Sequence, residues 1–348
     1  MLWDLAADRQ ESRLGPSHTA AAPWLPRRSL LATALAAPLL PLPASAQEFP
    51  TRPIRIIVPY VAGGVVDGLA RVLAPAMRDA LGQPIVVENR PGAGSVIGMQ
   101  ACAAAPPDGH TICMTVQDSL SYNPHLMASL PYDAERSFTP ITNLGWNNGA
   151  IVVNARTGIT DFAGLIAAAR ARSGGLNWGT WGPASSPDIL MRGVARATSV
   201  GFTAVSYGGA GQMYPALLAG ELDVSYMGVG GARPHVEAGR LRPLALTGRQ
   251  RHDAMPGVPT LAELGVDLGL PFYMAAYGPA GLPEPVLARL HAALVQAAGS
   301  PAAHQFYRAF TMTFVGDSPA DFAEFARRDR VHAGEVFQAI GLTRAAAQ

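Results

Sequence analysis

A chain of 348 residues, 49% of them hydrophobic and 15% charged, is too apolar to be disordered and long enough for about two domains, each with its own core. Its 26 Lys+Arg and 25 Asp+Glu leave a net charge of +1, without the basic excess that a nucleic-acid partner demands. All 26 cations are Arg, which excludes chemistry that needs a lysine amine (Schiff bases, pyridoxal-phosphate attachment, the Walker lysine), and two cysteines cannot build a disulfide scaffold or a Cys-rich metal site.

In chain order, residues 23–47 read PWLPRRSLLATALAAPLLPLPASAQ. Arg27 and Arg28 form a positive n-region, 29–43 an apolar h-region, and Ala44-Ser45-Ala46 a small-x-small cleavage site. The apolar stretch is broken by Pro38, Pro41 and Pro43 and falls short of the roughly 20 residues a spanning helix needs. Residues 1–46 are therefore expected to be an export signal with an N-terminal extension, of the twin-arginine or the ordinary secretory kind, and the mature chain to begin at Gln47 in the periplasm. The presequence holds four Arg and three acids, so 22 charges of each sign remain, and nothing holds the mature protein electrostatically to a membrane or polyanion. In an oxidising compartment Cys102 and Cys113 can pair; two buried free thiols are the simpler expectation.

Strands and helices then alternate. A β-branched run at 54–58, ended by Pro59, precedes a helix at 68–81; a strand at 85–88 and the turn Arg90-Pro91-Gly92 precede a helix at 96–105; a third strand spans 111–116. A second set begins with a strand at 150–153 and a helix at 162–172, followed by a strand-loop at 176–187 and a helix at 189–197. It continues with a strand at 202–205, a helix at 212–218 and strands at 224–227 and 244–246. Residues 249–259, rich in Pro and charge, read as a surface connector; after 272–277 the chain turns helical at 285–298, 302–311 and 319–340. Short apolar strands between helices predict a parallel sheet covered on both faces, the doubly wound α/β arrangement. No period of 20–50 residues marks a solenoid.

Particular strings are more specific. Residues 49–71 read FPTRPIRIIVPYVAGGVVDGLAR, 81–98 read LGQPIVVENRPGAGSVIG, and Pro107-Asp108-Gly109-His110-Thr111 follows. NPHL (123–126), LPYD (130–133), AGELD (219–223), PHVEAGRLRPLALT (234–247) and GPAGLPEPV (278–286) continue in order. Over essentially the whole mature chain the sequence resembles the periplasmic solute-binding proteins of tripartite tricarboxylate transporters, the Bug or TctC type. The resemblance implies a type II periplasmic-binding-protein fold, two α/β lobes joined by two crossovers with a ligand cleft between them. It places one lobe at 47–147 plus 272–348 and the other at 148–271. It also implies a monomer that delivers a small carboxylate to integral-membrane permease subunits, with no cofactor, no catalysis and no nucleic acid. A sensor kinase is the alternative recipient, and the genes beside this one discriminate the two.

The candidate ligand residues follow from that cleft. Tyr60, Ala62, Gly63 and Gly64 lie between the first strand and first helix, where glycine amides can approach a carboxylate at the positive end of a helix. The bare residues equally suit a tight turn, and the resemblance favours binding. Asp67 either helps orient the ligand or sits in a first helical turn for dipole reasons alone. Thr180, Gly182, Ser185 and Ser186 precede the helix near 189 and suit a second carboxylate or polar group, or simple helix capping. Ser119 and Ser121 follow the third strand, and Tyr207 is a candidate pocket wall. Compared with the family pattern, Val65 and Val66 replace small or hydroxylated residues, the loop Tyr207-Gly208-Gly209 lacks its cation, Asp188 stands where His is frequent, and Met227 where an acid is frequent. A more apolar, less cationic mouth points to a small monocarboxylate or an aromatic or aliphatic acid, in place of a tricarboxylate.

Other classes find less support. Gly92-Ala93-Gly94 with Gly98 has the spacing G-x-G-x-x-x-G, not that of a dinucleotide fold, and a close-packed helix start accounts for it. There is no G-x-S-x-G or H-E-x-x-H string, and the eight His residues show no metal-ligand spacing.

Overall fold

Ile54, Ile56 and Val58 are buried on one side of the first strand and Ile57 on the other, so the opening β-branched run must lie inside a sheet covered on both faces. The computed structural model describes residues 49–342 except 184, 249 and 267; the export signal expected at 1–46 lies outside the described residues. The chain runs β1 (Ile54–Val58), α1 (Val65–Leu81), β2 (Ile85–Asn89), α2 (Val96–Ala103), β3 (Thr111–Val116), α3 (Asn123–Leu126) and β4 (Phe138–Asn147). It continues with β5 (Gly149–Asn154), α4 (Phe162–Ala171), β6 (Leu176–Thr180), α5 (Ser186–Thr198), β7 (Phe202–Ser206), α6 (Ala210–Ala219), β8 (Val224–Gly228), α7 (Val229–Glu237) and β9 (Leu241–Leu246). It closes with β10 (Tyr273–Pro279), α8 (Glu284–Ala298), α9 (Pro301–Ala309), β11 (Met312–Thr313) and α10 (Pro319–Ala339).

Two sheets result, in the orders β11-β4-β10-β3-β1-β2 and β7-β6-β8-β5-β9. They are mixed, which corrects the expectation of purely parallel sheets. β2, β1 and β3 run parallel, as do β7, β6 and β8, but β10 is antiparallel to β3 and β4, and β5 to β8 and β9. The reversed strands are the ones that enter a sheet directly from the other, with no crossover helix to turn the chain round. Only Asn148 separates β4 from β5, and β10 is where the chain returns.

Helices α1 and α8 cover one face of the first sheet through Leu69, Leu73, Met77, Leu290 and Leu294; α2 and α10 cover the other through Met99, Phe322 and Ala326. In that second layer Cys102 of α2 and Cys113 of β3 form a disulfide, their Cα atoms 6.0 Å apart, in place of the two free thiols expected. A smaller cluster joins the two sheets' helices: Tyr122, Leu126, Ala333 and Phe337 pack with Ile189 of α5 and Leu270.

The short α3 and β11, and the longer β4 and α7, escaped sequence reading. β4 contains Pro140, which falls at a register shift opposite Tyr277 where no ladder donor is required. α7 contains Gly230, Gly231 and Pro234, poor helix formers, yet a Cβ on Gly230 would lie 2.3 Å from the carbonyl of Ala309, so tertiary packing selects glycine there. Gly98 is likewise a packing residue: a Cβ there would sit 2.6 Å from Pro59 Cβ. Among the described residues no helix is long and apolar enough to cross a membrane.

The disulfide closes a short loop, sequence separation 11, and chain-entropy arithmetic gives it about 3 kcal/mol. The double variant C102S/C113S is expected to unfold at lower denaturant by that order, and the unreduced native protein to take up no iodoacetamide when unfolded; alkylation of both thiols without reductant would contradict the pairing.

Candidate functional site

The first amides of any helix lack intrahelical acceptors. α4, α9 and α10 solve this locally with Asp161, Ser300 and Ser318, whereas the N-cap residues of α1 (Gly64) and α5 (Ser185) offer no capping side chain. These two uncapped starts carry most of the residues singled out from the sequence.

At α1, Ala62 and Gly63 are exposed, Tyr60 and Gly64 partly so. Gly63 has φ +83°, the left-handed region that favours glycine, and a Cβ built on it meets nothing within 4 Å, so its turn borders open space. Asp67, 3% exposed, lies beneath the turn and not in it: its Oδ2 accepts from Gly63 N at 2.9 Å, reaching back from the third helical position. Burial pushes this carboxyl up, but hydrogen bonds from Arg71 and Gly63 outweigh that and hold it below its usual value. Arg71 also donates to Asn89 (3.0 Å), which donates to the carbonyl of Tyr60 (3.1 Å). The chain Gly63–Asp67–Arg71–Asn89–Tyr60 fixes the turn, and the amides of Gly64, Val65 and Val66 precede the first intrahelical donor, Gly68 N, which bonds Gly64 O.

The hydroxyls are committed to protein partners. Tyr60 Oη lies 3.0 Å from Thr115 Oγ1 and 3.2 Å from Ser119 Oγ, and Ser119 Oγ donates to Ser95 Oγ at 2.7 Å. Burial, with the nearby charge of Asp118, pushes the Tyr60 phenol up to about 12. Ser121 Oγ lies 3.1 Å from Tyr273 Oη, which donates to Asp329. Thr180 Oγ1 accepts from Gly182 N and lies 3.3 Å from Ser206 Oγ; Ser185 Oγ turns back to the carbonyl of Gly182. Tyr207 is half-buried against the second sheet's core, and its amide donates to Thr180 O. The two turns face each other: a Cβ built on Gly209 would lie 3.9 Å from Val61 Cγ2.

Ser186 carries a contact that the sequence did not reveal. Its amide donates to Asp118 Oδ2 at 3.2 Å, its hydroxyl donates to Asp118 Oδ1 in a short bond, and Gln117 Nε2 donates to Ser186 Oγ at 3.0 Å. Gln117 Oε1 in turn accepts from Tyr273 N of β10 (3.0 Å). A loop of the first sheet thus caps a helix of the second. Desolvation raises the Asp118 carboxyl to about 6, against the Ser186 hydrogen bonds that lower it, and the charge of Asp329 adds to the rise. The readable signal was an acid just past the C-terminal end of a buried parallel strand, where ligand loops of α/β sheets gather.

A cavity of about 640 Å³ lies beside the crossovers, lined by Asn147, Asn148, Phe272, Ser186, Phe325 and Asp329 among others; no residue of the 60–67 turn lines it.

Residues 69–342, beginning just past the Gly63 turn, match the tripartite tricarboxylate transporter family receptor (TctC). The chain belongs to that receptor family. Among similar proteins of Bordetella pertussis, a member of the UPF0065 group is 32% identical over 302 residues, covering 86% of this chain and 93% of that protein. Protein BugT is 35% identical over 224 residues, covering 64% and 69%. The R. palustris protein Rpa4515, solved with adipate, superposes with a TM-score of 0.78 at 27% identity, covering 85% of this chain and 99% of that one. The receptor fold is accordingly the two-lobed periplasmic-binding-protein fold, its lobes built on the two mixed sheets.

In this receptor the Asp118 linkage has a definite sign. A carboxyl raised from 3.8 to about 6 binds more protons in the folded protein than in the unfolded chain, so its contribution is fully present below about pH 4 and is lost as pH rises through 6. Relative to D118N, the wild type is expected to gain roughly 2 kcal/mol in unfolding free energy between pH 7 and pH 4. Denaturant titrations of both proteins across that range check this, and a difference independent of pH would contradict it.

Proposed function

We propose that the protein is an extracytoplasmic receptor that captures a small carboxylate between its lobes and delivers it to tripartite tricarboxylate-type permease subunits. One lobe comprises residues 47–147 with 272–348, the other 148–271. The reading rests most on one observation: the exposed, braced Gly63 turn at an uncapped helix start, with open space beside it and the Gly209 turn opposite. Amides of Gly64, Val65 and Val66, backed by the helix dipole, suit one ligand carboxylate. Val61, half-exposed beside the turn, leaves the neighbourhood apolar, which favours a ligand with a hydrocarbon body; Val65 and Val66 pack into the core beneath it. The adipate seen with Rpa4515 belongs to that protein; for this chain it supports the carboxylate class.

Transport requires that the ligand bind the closed arrangement better than the open one, and an acid touched from both lobes supplies that difference. Tyr60, Ala62, Gly63, Gly64, Ser119, Ser121, Thr180, Gly182, Ser185, Ser186 and Tyr207 belong to the loops that would enclose the ligand, while Asp67 positions the turn. Because most of the hydroxyls among them already have protein partners, the direct contacts fall to backbone amides or to ordered water.

Thermal melting against a panel of small carboxylic acids reads this directly, since a ligand that binds only the native form raises the midpoint. Val65→Pro sharpens the test. Proline is tolerated at the first helical position, Gly64 before it is extended (φ −77°, ψ 171°), and the change deletes one amide donor. Loss of a hydrogen bond to a charged group predicts roughly 10-fold weaker acid binding with a melting midpoint within a few degrees of wild type. No shift with any acid, or full affinity in V65P, would overturn the reading.

A further inference from the structure

The start of α5 meets the same loop, 117–119, that Tyr60 beside the Gly63 turn reaches through Ser119, and there the protein has put a carboxylate of its own at a helix start. Asp118 receives both the amide and the hydroxyl of Ser186, the first residue of α5, whose N-cap residue Ser185 gives no side-chain cap. The seat is built. Gln117, next in sequence, donates to the same Ser186 hydroxyl and is itself anchored by the backbone amide of Tyr273, so the pair cannot swing away without breaking contacts to both lobes. Among the described residues no Arg forms an ion pair with Asp118, and the phenols of the buried Tyr122 and Tyr226, which lie close enough to feel its charge, are neutral. The carboxylate is therefore held by hydrogen bonds alone and its negative charge is not cancelled locally.

We propose that Asp118 is the residue that sets how many carboxylates the ligand carries: by filling the anion seat at the start of α5 from within, it limits the receptor to acids with one carboxylate, which docks at the Gly63 turn. The proposal rests on the carboxylate-receptor reading and goes further by naming the group that discriminates. A monoacid presents hydrocarbon toward α5 and meets no competing charge. A diacid must either expel Asp118 from Ser186 or hold its second carboxylate against a like charge in a desolvated gap, which is selection by repulsion.

Matched pairs of probes test this by titration calorimetry: hexanoate against adipate, butyrate against succinate and benzoate against terephthalate, with wild type, Asp118→Ser and Asp118→Asn. For each pair that binds, the wild type is expected to prefer the monoacid. The ratio of diacid to monoacid association constants is expected to rise at least about fivefold in D118S, where the seat is vacated. It should rise in D118N as well, where shape is kept and charge is lost, so that misfolding of one variant leaves the other decisive. A wild type that prefers a diacid to its monoacid partner, or a ratio unchanged in the folded variants, overturns the role of Asp118 while leaving the receptor reading intact. Absence of binding by every acid to folded wild type overturns both.

Discussion

Amide groups at the start of a helix have to be satisfied by something, and in this protein the starts of α1 and α5 are satisfied differently. At α1 the side chain of Asp67 takes the amide of Gly63 in an exposed turn, and the amides of the partly exposed Gly64 and Val65 follow it before the first intrahelical bond. At α5 the carboxylate of Asp118, carried by the other sheet, takes the amide and hydroxyl of Ser186. The proposed function takes the first as an open anion seat and the second as a filled one. That asymmetry follows from the hydrogen bonds of Asp67, Asp118 and Ser186, and the proposed specificity depends on it.

The asymmetry matters because the two starts belong to lobes joined by two crossings. Gly149, just past the first crossing, has no Cβ, and one built there would overlap the ring of Tyr226 at 2.0 Å; Tyr226 in turn stacks on Phe272 at the second crossing, with centroids 4.9 Å apart. Aromatic packing thus ties the crossings to β8, while Gln117 and Asp118 tie β10 and the loop after β3 to α5. In the proposed function, a ligand at the Gly63 turn would add to these contacts between lobes, so that its binding energy and the closure of the lobes would be one equilibrium.

Much of this was legible in the sequence. Alternating apolar runs and turn residues placed β1, β3 and α8 to within a residue, because burial on both sheet faces leaves continuous β-branched strands and amphipathic helices. The turn at Gly63 was legible as a turn, because a glycine pair after a strand admits the left-handed backbone found there; its assignment to a ligand came from the resemblance. What was hidden depends on tertiary neighbours. Pro140 is admitted to β4 by a bulge, the glycines of α7 are selected by the carbonyl of Ala309, and the reversed strands β5 and β10 follow from which segments cross between sheets. The partner of Ser186 was hidden for the same reason: Asp118 lies 68 residues away, and no local pattern records a cap supplied by the opposite lobe.

The amides themselves provide the most direct measurement. In ¹⁵N–¹H correlation spectra recorded while a bound monocarboxylate is titrated in, Gly64, Val65 and Val66 are expected to show the largest downfield proton shifts, as amides do on meeting a carboxylate. Binding that leaves those three resonances in place and instead moves residues lining the cavity beside the crossovers, such as Asn148 and Phe325, would contradict the account at its root.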